Sequence, residues 1–172
     1  PLPRFTFLFG RPDQGQYPLA SAIVSQSHGT AVLDLEEPLR DAAHVVAFNG
    51  TDPDISFDKN EDRQLPMMGE ITIEGWMEKL DSMHIDLFGS DWQAQFALKN
   101  IEREGLFDVY DRFLFRDAES MADVNFFRNK FGSDNCLILF CGPLPTKLEG
   151  LKFLWLSTPS LENRMAQLRK EL

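Results

Sequence analysis

The residues best suited to chemistry stand near the start of the chain. Gly10 and Gly15 are separated by Arg11, Pro12, Asp13 and Gln14, the spacing of the phosphate-cradling motif GxxxxGK[ST], and they follow the apolar run FTFLF. A strand running into a glycine loop and then a helix is the setting in which backbone N–H groups cradle phosphate oxygens. In that motif a lysine follows the second glycine and holds the phosphates as a point charge, and a Ser or Thr after it ligates magnesium. Here Gln16, Tyr17 and Pro18 follow Gly15. Two readings stand. Gly10, Arg11, Gly15, Gln16 and Tyr17 form a nucleotide-binding loop of altered chemistry, or they form a strand–helix turn with no ligand.

Other constellations are weaker. Asp111, Asp117, Glu119 and Asp123 could bind magnesium through carboxylate oxygens. Alternatively they are a solvated strand end and a helix start, where acids suit the helix dipole. His28, His44 and His84 have no ligand spacing with one another or with Cys136 and Cys141, so neither a zinc-type site nor a Ser-His-Asp arrangement is expected. Five residues apart in a strand, the two cysteines face opposite ways and cannot pair with each other; they read as small buried hydrophobes of a reducing compartment. Trp76, Trp92 and Trp155, with fifteen phenylalanines, offer either a base-stacking surface or a core. Phe127 and Phe131, four residues apart, read as packing residues on one helical face.

The elements that position these residues alternate. Residues 5–9 read as a buried strand, 17–26 as a helix stopped near Gly29, 30–35 as a strand and 36–48 as a helix. Residues 49–66 form a polar connection with five acids against two bases. Helical patterning returns over 72–83 and 91–104. A strand-like run ends the stretch 107–115, a helix over 120–130 stops at Gly132, and 136–141 is the most apolar strand. A strand over 151–156 and a helix over 160–172 close the chain. Strands alternating with helices predict an α/β layered domain with a mainly parallel sheet.

Length and charge bound the function. At 172 residues the expectation is a single domain, 1–172, with a helical lobe at about 49–105. Lys plus Arg is 17 against 27 for Asp plus Glu, a net charge of −10. That sign opposes non-specific nucleic-acid binding and an anionic membrane surface, both of which need cations. No run of about 18 apolar residues exists to span a membrane. The opening residues lack a signal-peptide cleavage pattern, so a cytoplasmic protein is expected.

Five segments in order carry a resemblance. FTFLFGRPDQGQYPLA is similar to a strand followed by a GxxxxGKDT loop. DLEEPLRDAAHVVAFNGTDPD is similar to a helix of the form A-D-P-L-K-D-A-L and a loop with a D-P pair. LPMMGEITIEGWMEKL and GSDWQAQFALKNI are similar to a stretch holding T-P-R and then a tryptophan-containing helix. FLFRDAESMADVNFFRNKFG is similar to V-V-I-x-D-V-R-F-x-N-E-A-x-x-I-R-x-x-G, and FLWLSTPSLENRMAQLRKEL to a closing strand and helix. Together they resemble the (deoxy)nucleoside monophosphate kinase-like P-loop family of phages and bacteria, over nearly the whole chain.

The resemblance implies a three-layer P-loop NTPase-like domain and, for an active enzyme, ATP and magnesium as cofactors. Carried over by position, Gln16 stands for the family's loop lysine, Tyr17 for the following aspartate and Pro18 for the hydroxyl. Asp117 matches an aspartate of the family, Glu119 falls where it has an arginine, and Asp123 where it has a glutamate. Glu74 falls on the arginine of T-P-R, whereas Arg40 matches the cation of the P-L-K helix and is implied to contact a substrate phosphate. Residues 142–150 are short where the family carries a lid-like insertion. Phosphoryl transfer depends on positioning and cationic stabilisation, so these losses accumulate. The expectation is a degenerate nucleotide kinase-like protein without ordinary phosphoryl transfer, binding a nucleotide weakly or a protein partner. The alternatives are an active kinase using Arg11 or Arg40 in place of the lysine, with Asp117 holding magnesium or the acceptor, and a phage-type accessory protein whose fold is a scaffold for a host protein.

Overall fold

The computed structural model describes residues 2–10, 14–48, 71–142, 152–156 and 160–171, and within them all side chains except those of 44–48 and 171. Among the described residues the elements are β1 (Phe5–Phe9), α1 (Gln16–Gln26), β2 (Thr30–Asp34), α2 (Glu37–Phe48), α3 (Ile73–Phe88), α4 (Trp92–Arg103), β3 (Arg112–Ala118), α5 (Met121–Phe131), β4 (Cys136–Phe140), β5 (Phe153–Trp155) and α6 (Leu161–Glu171). The five strands form one sheet in the order β2-β3-β1-β4-β5, and every pairing is parallel. Arg11, the polar connection over 49–66 and all of 142–150 except Gly142 lie outside the described residues.

The chain divides into two compact units, one made of Pro1–Leu35 and Gln93–Leu172, the other of Glu36–Trp92. In the first, both faces of the sheet are covered, which is why its strands read as continuous apolar runs. Phe5, Phe7, Phe113, Phe115 and Ile138 face Leu98 and Ile101 of α4 and Val124 and Phe127 of α5. Leu8, Leu114, Leu137 and Leu139 face Leu19 and Ile23 of α1 and Met165 and Leu168 of α6. α1 therefore carries the chain from β1 past β3 to β2 on one face, while α5 carries it from β3 past β1 to β4 on the other. The aromatic side chains are chiefly core: Phe5 meets Phe127 and Phe131 at 4.9 and 4.7 Å between ring centroids. Cys136 and Cys141 are buried on opposite faces, as their spacing predicts.

The strand-like run that ends the stretch 107–115 is β3, which starts at Arg112 after a 3-10 turn over Leu106–Asp108 and runs on to Ala118. Helix α3 continues past Met83 to Phe88, because its stop signal is Gly89, whose φ of 95° is easy only for glycine. β3 also contains an irregularity: Phe7 pairs with Phe115 but Phe9 pairs with Ala118, so β3 has one residue more than β1 across this interval. Such a bulge bends the strand and re-aims its side chains. Asp117 within it takes φ 52°, the left-handed region that Asp tolerates better than most residues.

The second unit packs α2 against α3 around Leu39, Ala43, Ile73, Leu80 and Trp92, with Trp76 and Met77 beside them. Its charge is unlike that of the first. Glu36–Trp92 holds fourteen Asp and Glu against four Lys and Arg, a balance of −10, while the first unit holds thirteen of each, a balance of 0.

Candidate functional site

In an open parallel sheet the ligand crevice lies beyond the carboxyl ends of the strands, where successive connections leave in opposite directions. Here that place is the end of β1 and β3, followed by the glycine loop and by Asp117. Gly15 caps the amino end of α1 with φ 79° and no side chain of its own. Gln16 and Tyr17 form the first turn, and Pro18, the third helical residue, lacks the N–H that an anion would bind.

The first turn of α1 is bonded to the bulge of β3. Gln16 is fully buried, Asp117 is 5% exposed, and the Gln16 Nε2 donates to Asp117 Oδ1 at 2.5 Å. In return the backbone N–H of Asp117 donates to Gln16 Oε1 at 3.3 Å. A carboxylate only accepts and an N–H only donates, so the primary amide of Gln16 meets both with its two ends. A lysine, with donors alone, would leave the N–H of Asp117 without that acceptor. The Tyr17 hydroxyl adds a bond to Asp117 Oδ2 at 3.0 Å.

Two arginines complete the end of the sheet. Arg116, half-buried, places its guanidinium 4.6 Å from the centroid of the Tyr17 ring and donates from Nη2 to Asp34 Oδ2 at 2.9 Å. Arg164 of α6, only 4% exposed, donates from Nη1 to the Gln14 carbonyl at 2.5 Å and from Nη2 to the Cys141 carbonyl at 3.0 Å. It ties the loop after β1 to the end of β4 from behind. Space is already tight there: a Cβ on Gly142 would lie 2.3 Å from Gln14 Oε1, so the Gln14 side chain fills the space above that glycine.

The remaining predicted residues separate. Arg40 belongs to the second unit, where its Nη1 lies 3.4 Å from Glu36 Oε2, one helical turn away. Glu74 is exposed in the first turn of α3, and Glu119 is exposed just before Ser120, the cap of α5. The acidic cluster does not assemble. Asp111 precedes β3 and Asp117 ends it, while Asp123 is 1% exposed and accepts from the backbone N–H of Ala94 at 3.0 Å. Among the described residues no group of three or more His, Cys, Asp or Glu is arranged to hold a metal ion. Trp92 is core, its Nε1 donating to Asp81 at 2.8 Å, whereas Trp155 is 46% exposed on the edge strand β5.

Sequence reasoning missed Arg116, Arg164 and Gln14. Arg164 left a signal: Leu161, Arg164, Met165 and Leu168 share the i, i+3, i+4, i+7 face of α6. A cation on an apolar stripe requires buried acceptors, and the loop carbonyls are those acceptors. Elsewhere, a shallow cleft of about 230 Å³ at the far end of α1 is lined by Leu2, Ile23, Gln26, Met165, Leu168 and Arg169, among others. Arg169 is already spent there on Gln26 Oε1, at 2.7 and 3.0 Å. Compared with known protein families and with curated proteins, the sequence matches none.

Proposed function

We propose that the chain is a degenerate deoxynucleoside monophosphate kinase-like protein without ordinary phosphoryl transfer, whose remaining role is to bind a nucleotide weakly or a protein partner. One observation carries this reading: Asp117 is buried and already bonded by Gln16 and Tyr17, the side chains that stand where a loop lysine and its neighbour would hold phosphate. A triphosphate with magnesium does not fit these residues. Metal at Asp117 would have to displace two donors, no Ser or Thr follows Gln16 to complete its shell, and Pro18 takes an N–H away from the helix end. Arg164 bears a charge close by, but its guanidinium is committed to two carbonyls.

The test is calorimetric titration of Mg·ATP and of each deoxynucleoside monophosphate, with ADP formation assayed on the same samples. Binding without turnover supports the reading, and robust turnover that disappears in Arg40→Ala refutes it in favour of an active kinase. Absence of nucleotide binding moves the weight to the protein partner, in the manner of a phage-type accessory scaffold.

A further inference from the structure

We propose that the carboxyl-terminal half of α3 is a docking surface for a cationic, amphipathic segment of a partner protein, its Lys and Arg side chains meeting this unit's acids and its apolar face covering Met83, Leu87 and Phe88. This names the partner class left open above. ATP turnover would overturn the non-transfer reading without touching this surface, and loss of probe binding would do the reverse.

The first half of α3 is ordinary. Ile73, Met77, Leu80 and His84 follow one another at helical spacing and form the stripe that packs within the unit, His84 stacking on Trp92 at 4.5 Å. The second half carries apolar side chains into solvent: Leu87 is 67% exposed, Met83 49%, Phe88 47% and Ile85 41%. Leu87 and Phe88 flank the line of the packed stripe one turn beyond His84. At about 100° per residue, Met83, Leu87 and Phe88 fall within about 140° of the helix circumference and prolong its packed side into solvent, while Ile85 lies beyond Phe88.

Charge selects the occupant. The whole net charge of the protein, −10, belongs to Glu36–Trp92. On α3 itself Glu74, Glu78, Asp81 and Asp86 face a single cation, Lys79. The last turn contains Asp86 and no basic residue, so an acid sits against the negative end of the helix dipole, where a cation is favoured. A segment rich in Lys and Arg would supply that cation, be steered to the unit by its field, and bury its own apolar face on the patch. A second copy is a poor occupant, because a two-fold contact would bring two −10 units together. Nucleic acids and anionic membranes carry the wrong sign.

The experiment uses the whole protein and a fluorescent 18-residue helical peptide of Leu and Lys as probe, with an all-lysine peptide of equal charge as control. The Leu/Lys probe binds, and its affinity falls as salt is raised. Leu87→Ser with Phe88→Ser leaves the net charge unchanged and weakens binding by about tenfold or more, as expected for apolar anchors. Met83→Ser, read independently in case the double variant misfolds, weakens it by about threefold. Asp86→Lys weakens it as well. The proposal is overturned if the double and Met83 variants bind as tightly as the parent, or if the all-lysine peptide binds equally well, since adsorption to acidic charge then explains everything. It is also overturned if sedimentation shows a dimer that Leu87→Ser disperses, which would make the occupant a second copy.

Discussion

Replacing Gln16 by leucine tests the closed end of the sheet most directly. Leucine has nearly the same bulk, so the change removes hydrogen bonds more than packing. Two bonds are lost: the 2.5 Å donation to the Asp117 carboxylate and the 3.3 Å acceptance from the Asp117 N–H. A bond to a charged acceptor contributes about 1.5–3 kcal/mol and a neutral one about 1 kcal/mol. The Asp117 N–H loses this acceptor while buried, whereas the carboxylate keeps the Tyr17 hydroxyl. Leucine's apolar burial offsets about 1 kcal/mol of this. The net destabilisation is about 2 kcal/mol, which in a chain of this length lowers the melting temperature by about 4–8 °C. Tyr17→Phe removes one bond at a half-buried site that water can reach, and costs about 1 kcal/mol. Gln16→Glu keeps the shape but sets a second carboxylate against Asp117, so its defect is large at neutral pH and eases on acidification as one group takes a proton. Thermal unfolding followed by circular dichroism measures all three. A shift under about 2 °C for Gln16→Leu, or a Gln16→Glu defect independent of pH, would show that the Gln16–Asp117 bond does not hold this end of the sheet.

Four further outcomes follow from the same geometry. Arg164→Met leaves the Gln14 and Cys141 carbonyls without their buried donor and should cost about 2–4 kcal/mol in urea unfolding. Gly15→Ala forces a side chain into φ 79° with its Cβ 3.1 Å from Arg164 Nη1, and should cost about 1–2 kcal/mol by the same measurement. Gln16→Lys together with Pro18→Thr should restore little nucleotide binding in calorimetry, because the new ammonium pairs with Asp117 instead of reaching outward. Burial pushes both the Cys136 and Cys141 thiols from 9.0 up to about 11. Their contribution to stability is therefore complete below pH 9 and lost as pH rises toward about 11. Alkaline melting curves should flatten in Cys136→Ala with Cys141→Ala, and neither thiol should react with a bulky disulfide reagent at pH 8 before unfolding.

Much of the architecture was legible. Phe5–Phe9 and Cys136–Phe140 are apolar runs of strand length bounded by glycine or turn residues, and such runs between helical patterns leave few alternatives to a covered parallel sheet. Ser120 and Gly132 mark the two ends of α5 by cap and stop. The site was legible only in part. That residues 16 and 18 are glutamine and proline could be read, yet what Gln16 bonds to could not. Gln16 and Asp117 are 101 residues apart, and nothing local to either reveals that the amide fits the carboxylate and its own N–H.

The sequence by itself determined the alternation of elements, the total charge of −10 and the identity of Gln16 after the second loop glycine. These are local or additive properties: periodicities of 2 and 3.6 residues, a sum, an identity at one position. The tertiary structure alone decided what Asp117 bonds to, where Arg164 spends its charge 150 residues from Gln14, and how the charge divides between units. Those depend on strand order, on the bulge in β3 and on the helix faces chosen in packing. Parallel strands buried on both faces carry no polar–apolar alternation to announce their register. It is set by contacts between segments far apart in the chain, and only folding brings those together.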